Sequence, residues 1–280
     1  MSSFPDIINI PLDVWIDNVM DWLLLHLEFF FDFIGAVILQ VIVTFENIFL
    51  YLPWFIFIPI VGFLGWKLVG SKVTGIVFMA LLFLIGTFGY WELSMRTLSL
   101  VITSVFFSLL LGIPQGIIMA RSDKVEGFMK PLLDGMQTMP SFVYLIPALM
   151  FFGMGKVPAM FATIIYAVPP VIRLTNVGIR NVDKEAVEAA LAYGASKKQV
   201  LFDVQLPLAK PSIMVGINQT TMMALAMVVI GSMIGAKGLG MEVLLAINRI
   251  EVGRGFEAGI SIVVLAIIID RITFSFSKKK

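Results

Sequence analysis

Four consecutive polar residues, Asn218, Gln219, Thr220 and Thr221, lie in a segment that is otherwise rich in Met, Ala and Val. Amide and hydroxyl side chains in so apolar a segment hydrogen-bond either to a polar solute in a water-filled path or to a neighbouring helix. Because successive helical residues point about 100° apart, the four side chains do not all face one way. The run therefore indicates a translocation path or interhelical contacts, and the sequence leaves both open.

The groups that catalysis requires are missing from the sequence. The chain has one histidine, His26, and no cysteine. Thiolate chemistry and a clustered His/Cys metal site are therefore excluded, and no Ser/His/Asp triad stands out that the single histidine could complete. It also lacks the GxxxxGK[ST] phosphate loop. We expect no enzyme activity, no ATP hydrolysis, no metal and no cofactor in this chain.

The longest polar stretch, residues 176–210, carries signals for two short helices. Asp183 can cap the start of the first helix, and Gly194 is suited to its end because that position favours a left-handed backbone. Ser196 with Gln199 three residues later is a capping-box pattern that begins the second helix. The pattern predicts two helices that meet at a glycine corner.

Pro207 stands at the end of the second of these helices, and it predicts that this helix does not continue unbroken into the next apolar segment. A compact helical projection followed at once by an apolar segment suits mechanical coupling to another protein. An ordinary solvated loop that happens to be helical is the alternative interpretation.

The composition indicates what kind of elements position these residues. With 59% hydrophobic and 14% charged residues in 280, the chain is far more apolar than soluble domains, which are about 45–50% apolar and about 25% charged. We predict an all-α, polytopic transmembrane helical bundle. Runs near the length of a bilayer-spanning helix, about 20 residues, predict seven spans, which are Leu50–Trp66, Val73–Tyr90, Thr97–Ala120, Ser141–Phe152, Pro158–Leu174, Ser212–Ile234 and Gly255–Ile272.

The distribution of Lys and Arg predicts the orientation of these spans. Residues 1–49 contain no Lys or Arg. With the N-terminus outside, only five of the twenty cations fall in outer segments, namely Arg96, Lys156, Lys237, Arg249 and Arg254. Because cytoplasmic loops carry an excess of cations, we expect the N-terminus outside and the C-terminus, which ends in three lysines, in the cytoplasm.

The acidic residues of the N-terminal region fall on one face of a helix. They are Asp13, Asp17, Asp21, Glu28 and Asp32, with aromatic and aliphatic residues opposite. This pattern predicts an amphipathic helix in the membrane interface. Residues 34–45 either pair with that helix or form an eighth span. We therefore divide the chain into an N-terminal interfacial region, 1–49, and a membrane domain, 50–280.

The polar stretch contains a motif that resembles the EAA loop of bacterial ABC-importer permeases. Its matching residues are Glu188, Ala189, Ala190, Gly194, Leu206 and Pro207. The usual isoleucine is replaced by Val204, a mild departure. In that family the loop is the coupling helix that sits in a groove of the ATPase subunit. The resemblance implies polar contacts of Glu188 with the ATPase and close packing at the small residues.

Three further segments look like the glycine betaine/proline branch of these permeases. They are residues 137–153, 167–173 and 231–240. The resemblance implies a type I ABC-importer permease fold in the bacterial cytoplasmic membrane. It also implies import of a compatible solute for osmoprotection, most simply glycine betaine, with carnitine, choline, proline or another amino acid as alternatives. Met139 and Pro140 become candidates for the translocation path mainly on this resemblance.

The same resemblance implies the partners. These are a second copy of the chain, two ATPase subunits that hold ATP and Mg²⁺, an external substrate-binding protein, the solute and the lipid bilayer, with no nucleic acid. An ion-coupled secondary transporter is the rival from another class. It would be expected to show paired repeats and buried carboxylates, and the sequence shows neither.

Overall fold

The computed structural model describes residues 11–278, and the regular elements in that range are all helical, which confirms the predicted all-α class. The helices are α1 (Leu12–Tyr51), α2 (Trp54–Val69), α3 (Lys72–Thr87), α4 (Trp91–Arg121), α5 (Asp123–Thr138), α6 (Leu145–Phe152), α7 (Lys156–Arg180), α8 (Lys184–Ala192), α9 (Lys197–Gln199), α10 (Leu206–Ser232), α11 (Leu239–Arg249) and α12 (Val252–Lys278). A 3₁₀ turn, Ser141–Tyr144, precedes α6, and a π-helical segment, Val200–Gln205, joins α9 to α10. The last two lysines of the predicted cytoplasmic terminus lie outside the described residues.

The helices correct the predicted set of seven spans. By length and composition, five of the described helices could cross a membrane: α1, α4, α7, the continuous helix Lys197–Ser232, and α12. A sixth is obtained if α5 and Ser141–Phe152, which are bent by 105° to each other, count as one span. The first predicted span, Leu50–Trp66, begins too early, because the chain leaves the helix after Tyr51 and α2 begins at Trp54. Helices α2 and α3 have 16 residues each, which gives about 24 Å against a hydrocarbon core of about 30 Å.

Helix α1 passes through the predicted boundary at residue 49 and bends only at Leu27, where the backbone is non-helical. Its acidic stripe is exposed, and so are the large apolar side chains opposite, among them Trp15, Trp22 and Phe29. Beyond the bend, Ile38 and Ile42 are buried against the bundle. The structure places residues 34–45 beyond the kink at Leu27 and packs them on the bundle.

A buried acid fastens the second half of α1 to the bundle. Glu46 is 6% exposed, and its Oε1 accepts a hydrogen bond from Nη1 of Arg96 on α4 at 2.7 Å. Its Oε2 pairs with the ammonium of Lys156, the first residue of α7. Arg96 also donates to the exposed Glu92 at 2.6 Å. One turn away, Ser99 Oγ donates to the carbonyl oxygen of Ile42 at 3.0 Å.

Replacing Glu46 with glutamine is expected to lower the free energy of unfolding by about 2 kcal/mol, since two cations then lose a charged acceptor that is largely shielded from water. The matched control is Glu92→Gln, which removes an exposed partner of the same Arg96 and should change stability by less than about 1 kcal/mol. Thermal unfolding of the purified protein in one detergent compares the two variants. Equal losses in both would contradict the role assigned to Glu46.

The centre of the bundle is a close contact of α7 with α4 on one side and α10 on the other. A Cβ atom on Gly116 of α4 would lie 2.7 Å from the carbonyl oxygen of Ile172, and one on Gly216 of α10 would lie 3.1 Å from Cα of Val171. Helices in membranes associate through such small residues because lipid gives no hydrophobic drive between them. Helix α7 is thus held rigidly from both sides.

The path from α5 to α6 bends sharply just after Met139. Pro140 has an extended backbone (φ −54°, ψ 131°) and is followed by the 3₁₀ turn. The hydroxyl of Tyr144 donates to the carbonyl oxygen of Met136 at 2.7 Å, and this bond braces the bend from inside. The predicted span Ser141–Phe152 is therefore only the second arm of a bent pair.

Candidate functional site

The predicted helix signals in loop 176–210 are confirmed. The side chain of Asp183 accepts a hydrogen bond from the backbone N–H of Glu185 at 2.9 Å, which caps the start of α8. Gly194 follows the helix with φ of +85°, in the left-handed region that favours glycine. The backbone N–H of Ser196 donates to Oε1 of Gln199 at 2.8 Å, and the N–H of Gln199 donates back to Ser196 Oγ at 3.4 Å.

The predicted interruption at Pro207 is wrong. The helix that begins at Lys197 runs on to Ser232 without a break. The backbone N–H of Leu206 bonds to the carbonyl oxygen of Leu201, five residues earlier. This wider π-helical turn removes the clash that proline causes in an α-helix, where its ring meets the carbonyl four residues back. Motion of loop 176–210 would therefore be carried directly into α10.

One side of loop 176–210 is packed onto the bundle. Val200 and Leu201 are buried, and Leu201 joins Ile179 and Ala209 in an apolar cluster that Leu206 also contacts. These contacts fix the loop to the ends of α7 and α10. Half-buried Leu206 thus has a packing role within this chain.

The other side of the loop faces away from the chain. Glu188, Ala189 and Gly194 are exposed, Ala190 is half-buried, and Pro207 is exposed. Tyr193, beside the glycine corner, is 94% exposed. A Cβ atom on Gly194 would meet nothing within 4 Å among the described residues. Close packing at these small residues, if it occurs, must therefore involve another protein.

Three acids of α5 face a basic stripe on α7, a feature that the sequence analysis did not predict. The carboxylate of Asp134 pairs with Arg173. Nearer the loop, Arg180 contacts Asp123 at 2.7 Å and Glu126 at 3.1 Å. Its other donors reach the side-chain oxygen of Asn176 at 3.0 Å and the carbonyl oxygen of Met119 at 3.1 Å.

Arg180 also lines a small cavity of about 190 Å³ beside loop 176–210. The cavity includes Lys184, Glu188 and Gln205 in its wall. The guanidinium group therefore connects α5, the end of α4 and the end of α7, and it borders the cavity beside α8. A displacement of loop 176–210 at the end of α7 would be transmitted to α5, the first arm of the bent pair, through Arg180.

The four polar residues of α10 do not form a single surface. Gln219 is exposed, and Thr221 is buried with its hydroxyl donating to the carbonyl oxygen of Ile217 at 2.8 Å. Asn218 Oδ1 and Thr220 Oγ1 are buried atoms with no hydrogen-bond partner among the described residues. Buried polar atoms are rarely left so in proteins, and each such atom calls for water, a solute or a partner.

Similar orphan atoms lie on the helices packed around α10. Ser108 Oγ on α4 and Thr175 Oγ1 on α7 are buried without a partner in the described part of the chain, as is Nε of Arg173. Met139 and Pro140 are exposed at the bend between α5 and α6. The structure places these two candidates on a different element from the α10 polar run.

Comparison with known proteins gives the family. A sequence profile described as "Binding-protein-dependent transport system inner membrane component" matches residues 112–280. The chain is 48% identical over 278 residues to the glycine betaine/carnitine transport permease protein GbuB of Listeria monocytogenes, covering 98% of each. It is 44% identical to the glycine betaine/proline betaine permease ProW of Escherichia coli, over 94% of this chain and 74% of that one. The glycine betaine permease OpuAB of Bacillus subtilis is 43% identical over 97% and 96%.

Among solved structures, the inward-facing MetNI methionine ABC transporter matches with a TM-score of 0.59 at 20% identity, covering 65% of this chain and 91% of that one. This likeness confirms the type I importer permease fold. Members of the family are permeases that work with a separate ATPase subunit and a substrate-binding protein, and they are not enzymes. The chain therefore belongs to the binding-protein-dependent transport system inner membrane components, the multi-pass permease subunits of ABC importers.

Proposed function

We propose that this permease imports glycine betaine. The observation that carries the proposal is the 48% identity over nearly the whole chain to a permease named for glycine betaine and carnitine. Permeases named for glycine betaine in two further organisms stand at 44% and 43% identity. Carnitine is the closest competitor, because it shares the quaternary ammonium group and one of these names.

Radiolabelled uptake tests the substrate. Proteoliposomes would contain this chain with the ATPase and binding protein encoded beside it, loaded with or without ATP. We expect ATP-dependent accumulation of glycine betaine that excess unlabelled betaine abolishes and excess proline does not. If ATP drives carnitine or choline but no betaine, the substrate assignment is wrong. Uptake driven by an ion gradient without ATP would overturn the importer mechanism.

Loop 176–210 is the proposed contact with the ATPase subunit. Its outward side presents Glu188, Ala189 and Gly194, and its inward side is fixed to α7 and α10 by Leu201 and Leu206. An exposed corner on a packed, continuous helix can transmit a displacement without dissipating it in a flexible joint. ATP and Mg²⁺ would be held by that ATPase subunit.

The solute is proposed to pass beside α10, with Asn218, Gln219 and Thr220 contributing polar groups and Thr221 packing behind them. Unpartnered Asn218 Oδ1 and Thr220 Oγ1 support this placement, since polar atoms within a span usually face a pathway or the bundle interior. Met139 and Pro140 would border the path at the α5–α6 bend, where a broken helix is tolerated next to a cavity.

The absence of native cysteine makes the path directly testable. Asn218→Cys is expected to react with a small charged thiol reagent during ATP-driven turnover and to be protected about tenfold by saturating betaine. Thr87→Cys, exposed at the end of α3, is the control that should react but that betaine should not protect. An Asn218→Cys chain that stays unreactive throughout turnover would remove Asn218 from the path.

Two identical permease subunits per importer are proposed, with the N-terminus outside and the C-terminus in the cytoplasm. The cation asymmetry of the sequence supports the orientation. Loop 176–210 and the end of α12 would then share the cytoplasmic side. The amphipathic first half of α1 would lie in the outer interface, where its acidic side faces water.

A further inference from the structure

An apolar cavity of about 580 Å³ lies between α2, α4, α10 and α12. Its wall includes Phe57 and Leu64 of α2, Val105 and Leu109 of α4, and Leu265 of α12. Helix α2 forms one wall and the core helices form the others, so the cavity lies between the α2–α3 hairpin and the core of the permease. Phe106, another lining residue, is 51% exposed, which marks an opening to the surroundings of the bundle.

The wall offers almost nothing to a polar occupant. Thr221 and Thr273 carry its only side-chain hydroxyls among the described residues, and that of Thr221 is already bonded to the carbonyl oxygen of Ile217. A water molecule inside a protein needs two to four polar partners, so cavities lined by apolar groups stay dry. A zwitterionic solute would lose its hydration without compensation. This cavity is therefore not the solute path.

The shape of the cavity restricts its occupant further. Along α4 the lining runs from Leu98 to Leu109, a length of about 16 Å at the helical rise of 1.5 Å per residue. One leaflet of the hydrocarbon core is about 15 Å thick, close to the length of the cavity.

We propose that the cavity binds one acyl chain of a membrane phospholipid. Such a chain matches the apolar wall and the one-leaflet length, and the cavity opens beside the exposed Phe106 on α4, a helix long and apolar enough to span the membrane. The bound chain fills the space between the α2–α3 hairpin and α4. It thereby contributes to holding the hairpin on the core, as a structural lipid.

The test compares two tryptophan substitutions on the same helix. Val105→Trp fills the cavity, whereas Leu110→Trp places the same side chain at an exposed position outside the lining. The complex with its ATPase subunit is washed extensively in detergent, and the lipid it retains is measured by native mass spectrometry. Wild type and Leu110→Trp should each retain about one phospholipid per chain, and Val105→Trp should retain about tenfold less, because core space is close-packed once filled.

Thermal unfolding gives a second readout. Added phospholipid should raise the Tm of the washed wild type, since a ligand bound by the folded state stabilises it, and should leave Val105→Trp unchanged. If Val105→Trp does not fold, Leu109→Phe makes a smaller filling at the same wall. Equal lipid retention in wild type and folded filling variants would overturn the proposal, as would retention of detergent alone by the wild type. Loss of the complex on filling the cavity would instead indicate a protein partner and would also overturn it.

Discussion

Replacing Gly194 with valine is expected to reduce ATP-driven uptake at least tenfold while the chain still reaches the membrane. The backbone there has φ of +85°, a conformation that costs non-glycine residues about 1–2 kcal/mol and is an outlier for β-branched ones. The added side chain would also project outward, because nothing in the described chain lies within 4 Å of that position. A loss of about 1.4 kcal/mol at the ATPase contact is already tenfold in occupancy.

Two further variants separate the backbone from the contact. Asparagine tolerates the left-handed conformation better than other non-glycine residues, so Gly194→Asn should preserve the corner while still obstructing a close neighbour. Ala192→Val, exposed two residues earlier on α8, adds a similar bulk without a positive φ. If Asn restores uptake, the conformation is what matters; if Asn fails as Val does, the contact matters.

The measurement is the ratio of ATP hydrolysed to betaine imported in proteoliposomes. Uncoupling raises this ratio, whereas failure of assembly lowers ATP hydrolysis and uptake together. Either result fits the role proposed for the glycine corner. Wild-type uptake in Gly194→Val would contradict it, because the strained corner and the outward bulk would then both be without consequence.

The caps of loop 176–210 could be predicted from the sequence because their hydrogen bonds are local. Asp183 bonds to Glu185, and Ser196 exchanges bonds with Gln199, so each pattern is complete within four residues. Pro207 was misjudged for a related reason. The rule that proline ends a helix assumes α-helical spacing, and the π-helical turn ahead of it changes that spacing.

Contacts between distant parts of the chain could not be predicted in the same way. Glu46 meets Lys156 across 110 residues of sequence, and an isolated acid in the apolar second half of α1 gave no indication of its partners. Arg173 and Arg180 are seven residues apart on α7 and so share a face. That spacing, together with the acids on α5, was the available signal for the ion pairs between α5 and α7.

The N-terminal region shows how a correct pattern can be given too short a range. The acidic stripe ends at Asp32, and the prediction ended the helix soon after it. The sequence contains no proline between Pro11 and Pro53, however, and the structure shows helix from Leu12 to Tyr51 with a single kink at Leu27. Helix breakers set the limits of a helix, whereas amphipathicity describes only the part of it at an interface.

The second large effect is expected at Arg180. Its replacement by methionine keeps much of the side-chain volume but removes the hydrogen bonds that Arg180 itself donates to Asp123, Glu126, Asn176 and the carbonyl oxygen of Met119. Glu126, whose side chain is only 16% exposed, loses one of its two cations but keeps Lys130 and Asn176 as partners. Asp123, by contrast, is 91% exposed. We expect a loss of about 2 kcal/mol or more in the free energy of unfolding.

Uptake should fall in the same variant at least about tenfold, because α5 would no longer be held to the end of α7 beside loop 176–210. Arg180→Lys should recover only part of both properties, since an ammonium group cannot reproduce the planar fork of donors. In a double-mutant cycle, Asp123→Asn should add little, because its carboxylate is 91% exposed. Thermal unfolding and uptake are measured on the same preparations.

Arg121→Met is the matched control, an exposed cation at the end of α4 whose loss should change stability by no more than about 0.5 kcal/mol. Stability and transport need not fall together, and their separation is informative. If Arg180→Met unfolds like the control but loses uptake, the residue transmits motion from the loop to the bent pair without bearing on the fold. If Arg180→Met matches the control in both measurements, the ion pairs between α5 and α7 contribute neither to stability nor to uptake. The bent pair must then be held by the Tyr144 hydrogen bond and by apolar packing.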